Sequence, residues 1–296
     1  MTTALDLIEE TRRYLFAGQR EVINFLNGAI NSSVTTITLT DDLGQLQAGA
    51  YLAIDLEILY VRSVSATSLT ATVVRGMLGS TAASHTDGSI VYVNSKFPAF
   101  SIFQALNQDL DDLCSPGNGL YKINTVEITF NPAIQAYDIT GATDILDILR
   151  VRSKQPGPAK NWFEVGRYAL KRNANTTIFP SGFEITLQEA GWPGLPFMVI
   201  YSTPFTHFTD TTTTTSSVGL PDSARDLPPL GAAARLTAVR ETQRNFNESQ
   251  GDTRRASEVP PNAQTAGYRA LLAERQRRIK SEADKLNSSY PTRRQR

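Results

Sequence analysis

The stretch "VVRGMLGSTAASHTDGSIVYV" (residues 73–93) decides how the first third of the chain folds. It gathers Arg75, Gly76, Gly79, Ser80, His85, Asp87 and Gly88, and holds one of only two histidines in 296 residues. Three readings compete: a glycine-rich phosphate loop, a Ser/His/Asp cluster, or a shaped turn between strands. A Walker-type loop needs G-x-x-x-x-G-K-[ST], and the stretch has no lysine. A dinucleotide-binding turn opens a helix, whereas "SIVYV" alternates apolar and polar residues as a strand does. No G-x-S-x-G elbow is present to expose a serine nucleophile. What remains is strand, turn region, strand. The glycines supply tight backbone geometry, and Arg75 and His85 are expected to hold the loop by hydrogen bonds.

Outward from that stretch the period stays at two. "VTTITLT", "YLAIDLEILYVRSV", "SLTATVVRG" and "SIVYV" are rich in β-branched residues and spaced by "NSS", "DDLG", "SAT" and "HTDG". Short strands at this spacing predict a small barrel or sandwich over residues 20–98. A helix over 2–15 precedes it, capped by Thr2 or Thr3, with Leu5, Ile8 and Leu15 as its stripe. Helical spacing returns in "AFSIFQALNQDLDDL" (99–113), which starts after Pro98 and stops at "CSPGNG". A second β-rich module follows to residue 208. The Thr/Ser run of 209–223 reads as a linker. Two further helices are predicted over 230–246 and 263–286.

The predicted organisation is therefore an N-terminal helix (1–19), a first β module (20–98), a connecting helix (99–118), a second β module (119–208), a linker (209–223), and C-terminal helices with a basic tail (224–296). The fold class is α+β: a small helical bundle with two inserted β-rich modules, barrel- or sandwich-like, and a helical C-terminal extension. Nothing alternates as βαβ, which argues against nucleotide-binding α/β folds.

Net charge is zero, from 29 basic and 29 acidic residues. The balance is uneven along the chain. Residues 224–296 carry 15 Lys/Arg against 8 Asp/Glu, leaving 14 against 21 before them. An acidic body with a basic end suggests head-to-tail self-contacts or a charged partner. Cys114 is the single cysteine, so no intrachain disulfide forms, and a reducing compartment or a protein that does not rely on disulfides is expected. No window approaches a membrane span, and no membrane partner is expected.

No set of residues has metal-ligand spacing, and neither a metal nor a cofactor is expected. Asp109, Asp111 and Asp112 read as a solvated acidic face of their helix. Glu57 reads either as a solvated strand residue or as a buried partner of Arg75 on a neighbouring strand. In the last helix, Tyr268, Leu271, Leu272, Ile279, Ala283 and Leu286 form one side. Arg269, Arg275, Arg277, Arg278 and Lys280 are placed mostly opposite, as a solvated face or as one that docks on an acidic protein surface or lines a passage for nucleic acid. No catalytic residue is assigned.

The region from "TTITLT" to "SIVYV" resembles a β module that recurs in structural proteins of tailed bacteriophages. The resemblance rests on Gly49, Glu57, Arg75, Gly76, Gly79, Ser80, Thr81, His85 and Gly88. "GAAARLTAVRETQRNFNESQGDTRRASEVPPNAQTAGYRALLAERQRRIKSEADKL" resembles the helical end of phage head-to-tail connector (adaptor, or neck) proteins, most specifically at "QGDTRRASEVPP" (250–261). Together they cover a little under half the chain. The resemblance implies a non-enzymatic virion protein of the neck between capsid and tail, assembled in the host cytoplasm as a ring of about twelve copies. Its implied partners are further copies of itself, the portal protein, a tail-side neck or terminator protein, and DNA in the channel through non-specific contact. Tyr268, Leu272, Arg275, Arg278, Ile279, Arg293 and Arg294 are the implied portal-docking residues. A minor tail or baseplate protein is the alternative, and a virion-associated hydrolase the third reading.

Overall fold

The computed structural model describes residues 2–16, 21–41, 44, 46–158, 161–188, 191–249 and 263–290, with the backbone alone for 239–249 and 263–266. The fold is mixed α+β. The chain divides into two compact units, Met1–Asp109 with His207–Thr215 and Arg225–Gln276, and Leu110–Thr206 with Ser216–Ala224 and Arg277–Arg296.

The first unit opens with helix α1 (Ala4–Phe16). Thr3 is its cap: the Thr3 hydroxyl accepts from the Asp6 amide at 3.3 Å, and the Asp6 carboxylate accepts from the Thr3 amide at 2.8 Å. This reciprocal pair satisfies two of the donors a helix start leaves open. Ala4, Leu7, Ile8, Thr11 and Phe16 are buried, and Leu5, expected in the stripe, is half exposed.

Six strands follow: β1 (Val22–Phe25), β2 (Thr36–Thr38), β3 (Tyr51–Ile54), β4 (Glu57–Ser65), β5 (Thr70–Val74) and β6 (Ile90–Val93). They form one antiparallel sheet in the order β1-β6-β3-β4-β5-β2. The run "YLAIDLEILYVRSV" is two strands, because Asp55 adopts a left-handed conformation (φ 49°) and turns β3 into β4. The sheet curls into a half-barrel whose edge strands meet beyond β1 and β2. There the Asn27 amide donates to Thr38 O and the Thr40 amide to Phe25 O, both at 2.9 Å. Leu26, Ile37, Leu39, Leu52, Ile54, Leu59, Val61, Ala71, Val73 and Val91 fill the interior. Alternate residues of β3, β4, β5 and β6 supply this core, as the pleat requires.

Helix α2 (Ala99–Leu113) has the bounds read from the sequence. In this unit Ile102 and Leu106 are fully buried. Helix α4 (Leu227–Ser249) packs against α1, and helix α5 (Ala263–Ser289) begins here. Residues 209–215, read as linker, are tied into the unit. Thr3 and Thr214 form a β-bridge, the Ala4 amide donates to Thr213 O at 2.9 Å, and the Asp210 carboxylate accepts from the amides of Thr212 and Thr213 at 2.8 Å.

The second unit holds β7 (Lys122–Thr129), β8 (Ala136–Asp138), β9 (Asp147–Lys154), β10 (Trp162–Glu164), β11 (Tyr168–Arg172), β12 (Phe183–Leu187) and β13 (Pro196–Thr203). They form a four-stranded sheet, β10-β9-β13-β7, and a three-stranded sheet, β11-β12-β8. One core joins them through Tyr137, Ile139, Ile148, Val151, Ile185, Leu187, Phe197 and Val199. Tyr137 meets Phe197 edge-on at 4.9 Å, a favoured aromatic geometry. The run "FEVGRYALKR" is divided between the two sheets as β10 and β11. The short helix α3 (Thr215–Val218) ends at Gly219, whose φ of +87° suits glycine.

Candidate functional site

The polar residues of the opening stretch converge on Glu57. The two-residue turn at Asp55 and Leu56 sets Glu57 at the first position of β4. It shares a face with Leu59 and Val61, so its side chain joins the inward row and is fully buried. Arg75 follows Val74 at the end of β5 and continues the inward row of Ala71 and Val73. The two charges therefore meet inside the half-barrel. Arg75 Nε and Nη2 donate to Glu57 Oε1 and Oε2, both at 2.7 Å, in a two-pronged pair.

Arg75 Nη1 also donates to Asn31 O at 2.8 Å and Val34 O at 2.9 Å, and Nη2 to Ala83 O at 2.5 Å. These bonds occupy all five guanidinium donors. Glu57 accepts further bonds from the Gly76 amide at 3.1 Å and the Ala83 amide at 3.0 Å. His85 closes the cluster, with Nε2 2.9 Å from Glu57 Oε2 and Nδ1 2.8 Å from Asp55 Oδ2. Its main chain pairs with Ile30 in both directions at 2.9 Å.

Both histidine nitrogens face carboxylates, which accept only, so the ring is held as imidazolium. Burial opposes that charge, but the bonds to Asp55 and Glu57 outweigh it and lift the His85 pKa to about 9. Burial likewise opposes ionised Glu57, yet the bonds from Arg75, His85 and the Ala83 amide draw its pKa down to about 2. Two carboxylates and two cations thus balance within one cluster.

The glycines serve the same loop. Gly76 has φ +62°, and a Cβ there would lie 3.1 Å from Ser80 O. Gly79 and Gly88 also have positive φ, at +85° and +75°. Gly88 donates its amide to Leu26 O at 2.9 Å, and the Asp87 carboxylate accepts from the Gly28 amide at 2.7 Å. The Ser80 hydroxyl accepts from the Ile58 amide at 2.9 Å and donates to Met77 O at 2.8 Å. Ser80, His85 and Asp87 therefore do not assemble as nucleophile, base and orienting acid, and an imidazolium has no lone pair with which to accept a proton. Of the two sequence readings of Glu57, the structure selects the buried partner. Asp55 was missed, although a carboxylate two residues before Glu57, at the apex of a tight turn, is a local signal.

The residues assigned to docking differ in exposure. Tyr268, Leu272 and Arg278 are half-buried, while Arg275 and Ile279 are buried. The placement of Arg275 opposite the apolar stripe is corrected. It lies three residues after Leu272 and four before Ile279, which puts it in the stripe. Its guanidinium pairs with Asp109 at 2.7 Å, and Asp109 is fully buried instead of lying on a solvated face. The sequence signal was Gly231 inside a helix: a Cβ there would stand 1.7 Å from Asp109 Oδ1. Arg278 donates to Ser223 O at 2.7 Å. Arg293 and Arg294 lie outside the described residues.

Among the described residues no group of three His, Cys, Asp or Glu side chains is placed to hold a metal ion, and no helix is long and apolar enough to cross a membrane. No protein-family model matches the chain, and no curated protein matches it.

Proposed function

We propose that this chain is a structural protein of a tailed-bacteriophage virion, a head-to-tail adaptor whose copies form a ring of about twelve between portal and tail and continue the DNA channel. In this reading the helices make a small bundle carrying two inserted β modules, and α5 is its C-terminal extension. The observation that carries the reading is the Glu57 cluster. The residues that resemble the phage module, Glu57, Arg75, Gly76, Gly79, Ser80, His85 and Gly88, bond to one another or shape one loop. Their chemistry is spent on rigidity, as suits a protein that bears load and performs no reaction.

The half-buried Tyr268, Leu272 and Arg278 are the portal-contact residues of α5 in this reading. Deleting residues 263–296 is expected to leave DNA-filled heads that retain no tail, scored by electron microscopy of lysates. Normal virions from that deletion would sink the proposal. Imaging the labelled chain in whole particles separates the alternatives. A ring at the neck supports the adaptor, and a few copies at the tail tip select a minor tail or baseplate protein.

A further inference from the structure

A groove of about 700 Å³ opens in the first unit between α1, α4 and α5. Tyr14, Phe97, Leu230 and Leu271 give it apolar and aromatic walls, and Asp226 and Glu274 are its charged lining. The Tyr14 hydroxyl donates to Glu10 at 3.5 Å, bringing a third carboxylate to the rim. Burial raises the Tyr14 pKa, and the charges of Glu10, Asp226 and Glu274 raise it further, so all three act on one spot.

Aromatic walls beside carboxylates fit a cation on an apolar stem. A guanidinium can stack on Tyr14 while its stem covers Leu230 and Leu271 and its charge meets the acids. A groove of this volume is within the range that encloses one or two such side chains. The chain itself carries a segment of matching chemistry. Residues 291–296, "PTRRQR", follow the last described residue and bear Arg293, Arg294 and Arg296.

We propose that the groove receives the arginine-rich end, residues 291–296, of a second copy of this chain. Helix geometry favours a second copy over the same one. Glu274, at the groove, and Ser289, at the end of α5, lie about 22 Å apart along the helix at about 1.5 Å per residue. Six residues span about 20 Å at full extension, too few to double back and enter. The contact is heterologous, tail into groove, and so repeats from copy to copy. It rests on the reading that copies of the chain assemble, and it moves Arg293 and Arg294 from the portal to the neighbouring copy.

The test titrates the full-length chain, carrying Arg293→Glu and Arg294→Glu to disable its own tail, with a fluorescent peptide of residues 286–296. Saturable binding is expected. Asp226→Asn with Glu274→Gln in the receptor should weaken it about tenfold or more, and the same two Arg→Glu changes in the peptide should abolish it. Ala270→Trp, at an exposed position of the wall, fills the groove without removing a buried contact and must also block the peptide. No saturable binding, or equal binding to the altered receptors, overturns the proposal. Sedimentation of the intact chain must also show association that Arg293→Glu with Arg294→Glu reduces; unchanged sedimentation overturns the assignment to a second copy. Finding the chain at the tail tip would defeat the neck reading and leave this contact untouched.

Discussion

Arg75 shows how much one side chain organises. It joins the end of β5 to the turn after β1, through Asn31 and Val34, and to the loop before β6, through Ala83. Arg75→Met should cost about 3–5 kcal/mol in urea unfolding, because Glu57 would be left buried without its main counter-charge. Arg75→Lys should recover only part of that loss, since a point charge with three donors cannot replace a five-donor fork. A loss below about 1 kcal/mol for the methionine variant would remove the cluster from the stability of the module.

The paired shifts fix the pH response. The imidazolium of His85 is favoured by folding, so its contribution is complete below the ordinary value of 6.5 and is lost as pH rises through about 9. Folding favours ionised Glu57 in the opposite sense. That contribution is complete above the ordinary value of 4.5 and is lost as pH falls through about 2. Stability is expected to plateau between these ordinary values and fall on either side. His85→Gln should flatten the alkaline limb in urea titrations run from neutral pH upward, and a limb unchanged by that variant refutes the linkage. Part of this was legible. Glu57 has the parity of Leu59 and Val61, and Arg75 that of Ala71 and Val73. But Leu56, Ile58 and Tyr60 make the other row apolar too, so period two by itself leaves both readings of Glu57 open. The role of His85 was less legible, because a loop has no period from which to read the direction of a side chain.

At the scale of elements, the best-read helix was α2, because Pro98 begins it and "CSPGNG" ends it with opposite backbone demands. Helix α5 departs from its sequence pattern at Arg275, where charge does not mean exposure. Buried, it pairs with Asp109, whose carboxylate occupies the space that a side chain at Gly231 would need. Gly231→Ala should therefore destabilise the first unit by at least about 1–3 kcal/mol, against the usual gain of alanine in a helix. Gly267 on α5 is the control. Nothing lies within 4 Å of a Cβ there, so Gly267→Ala should gain up to about 1 kcal/mol. Thermal melts of the two variants should move in opposite directions. A shift of the same sign in both would mean that the Asp109 carboxylate has room to move aside.

For the whole molecule, the sequence showed an α+β chain with two β-rich modules, but not the pairing inside the second. Hydrophobic period assigns faces to strands, whereas partners are chosen by contacts far apart in sequence. Strand β13 pairs with both β7 and β9, and its run of buried residues from Val199 to Ser202 is the mark of a central strand. The charge imbalance along the chain bears on assembly at this scale. If acidic body and basic end meet between copies, self-association should weaken from about 50 mM to about 500 mM salt, as the screening length shortens. Sedimentation equilibrium reads that change, and association indifferent to salt would point to apolar contacts in place of charged ones.

The meeting of the half-barrel's two edges has a consequence for how the protein keeps in solution. A sheet with open margins offers rows of unsatisfied amides and carbonyls to any neighbour, and crowded chains then fuse strand to strand. Beyond β1 and β2 the two margins instead spend those groups on each other, at Asn27 with Thr38 and Thr40 with Phe25. Where the two margins meet, this sheet therefore has less open edge from which strand-to-strand precipitation could be seeded.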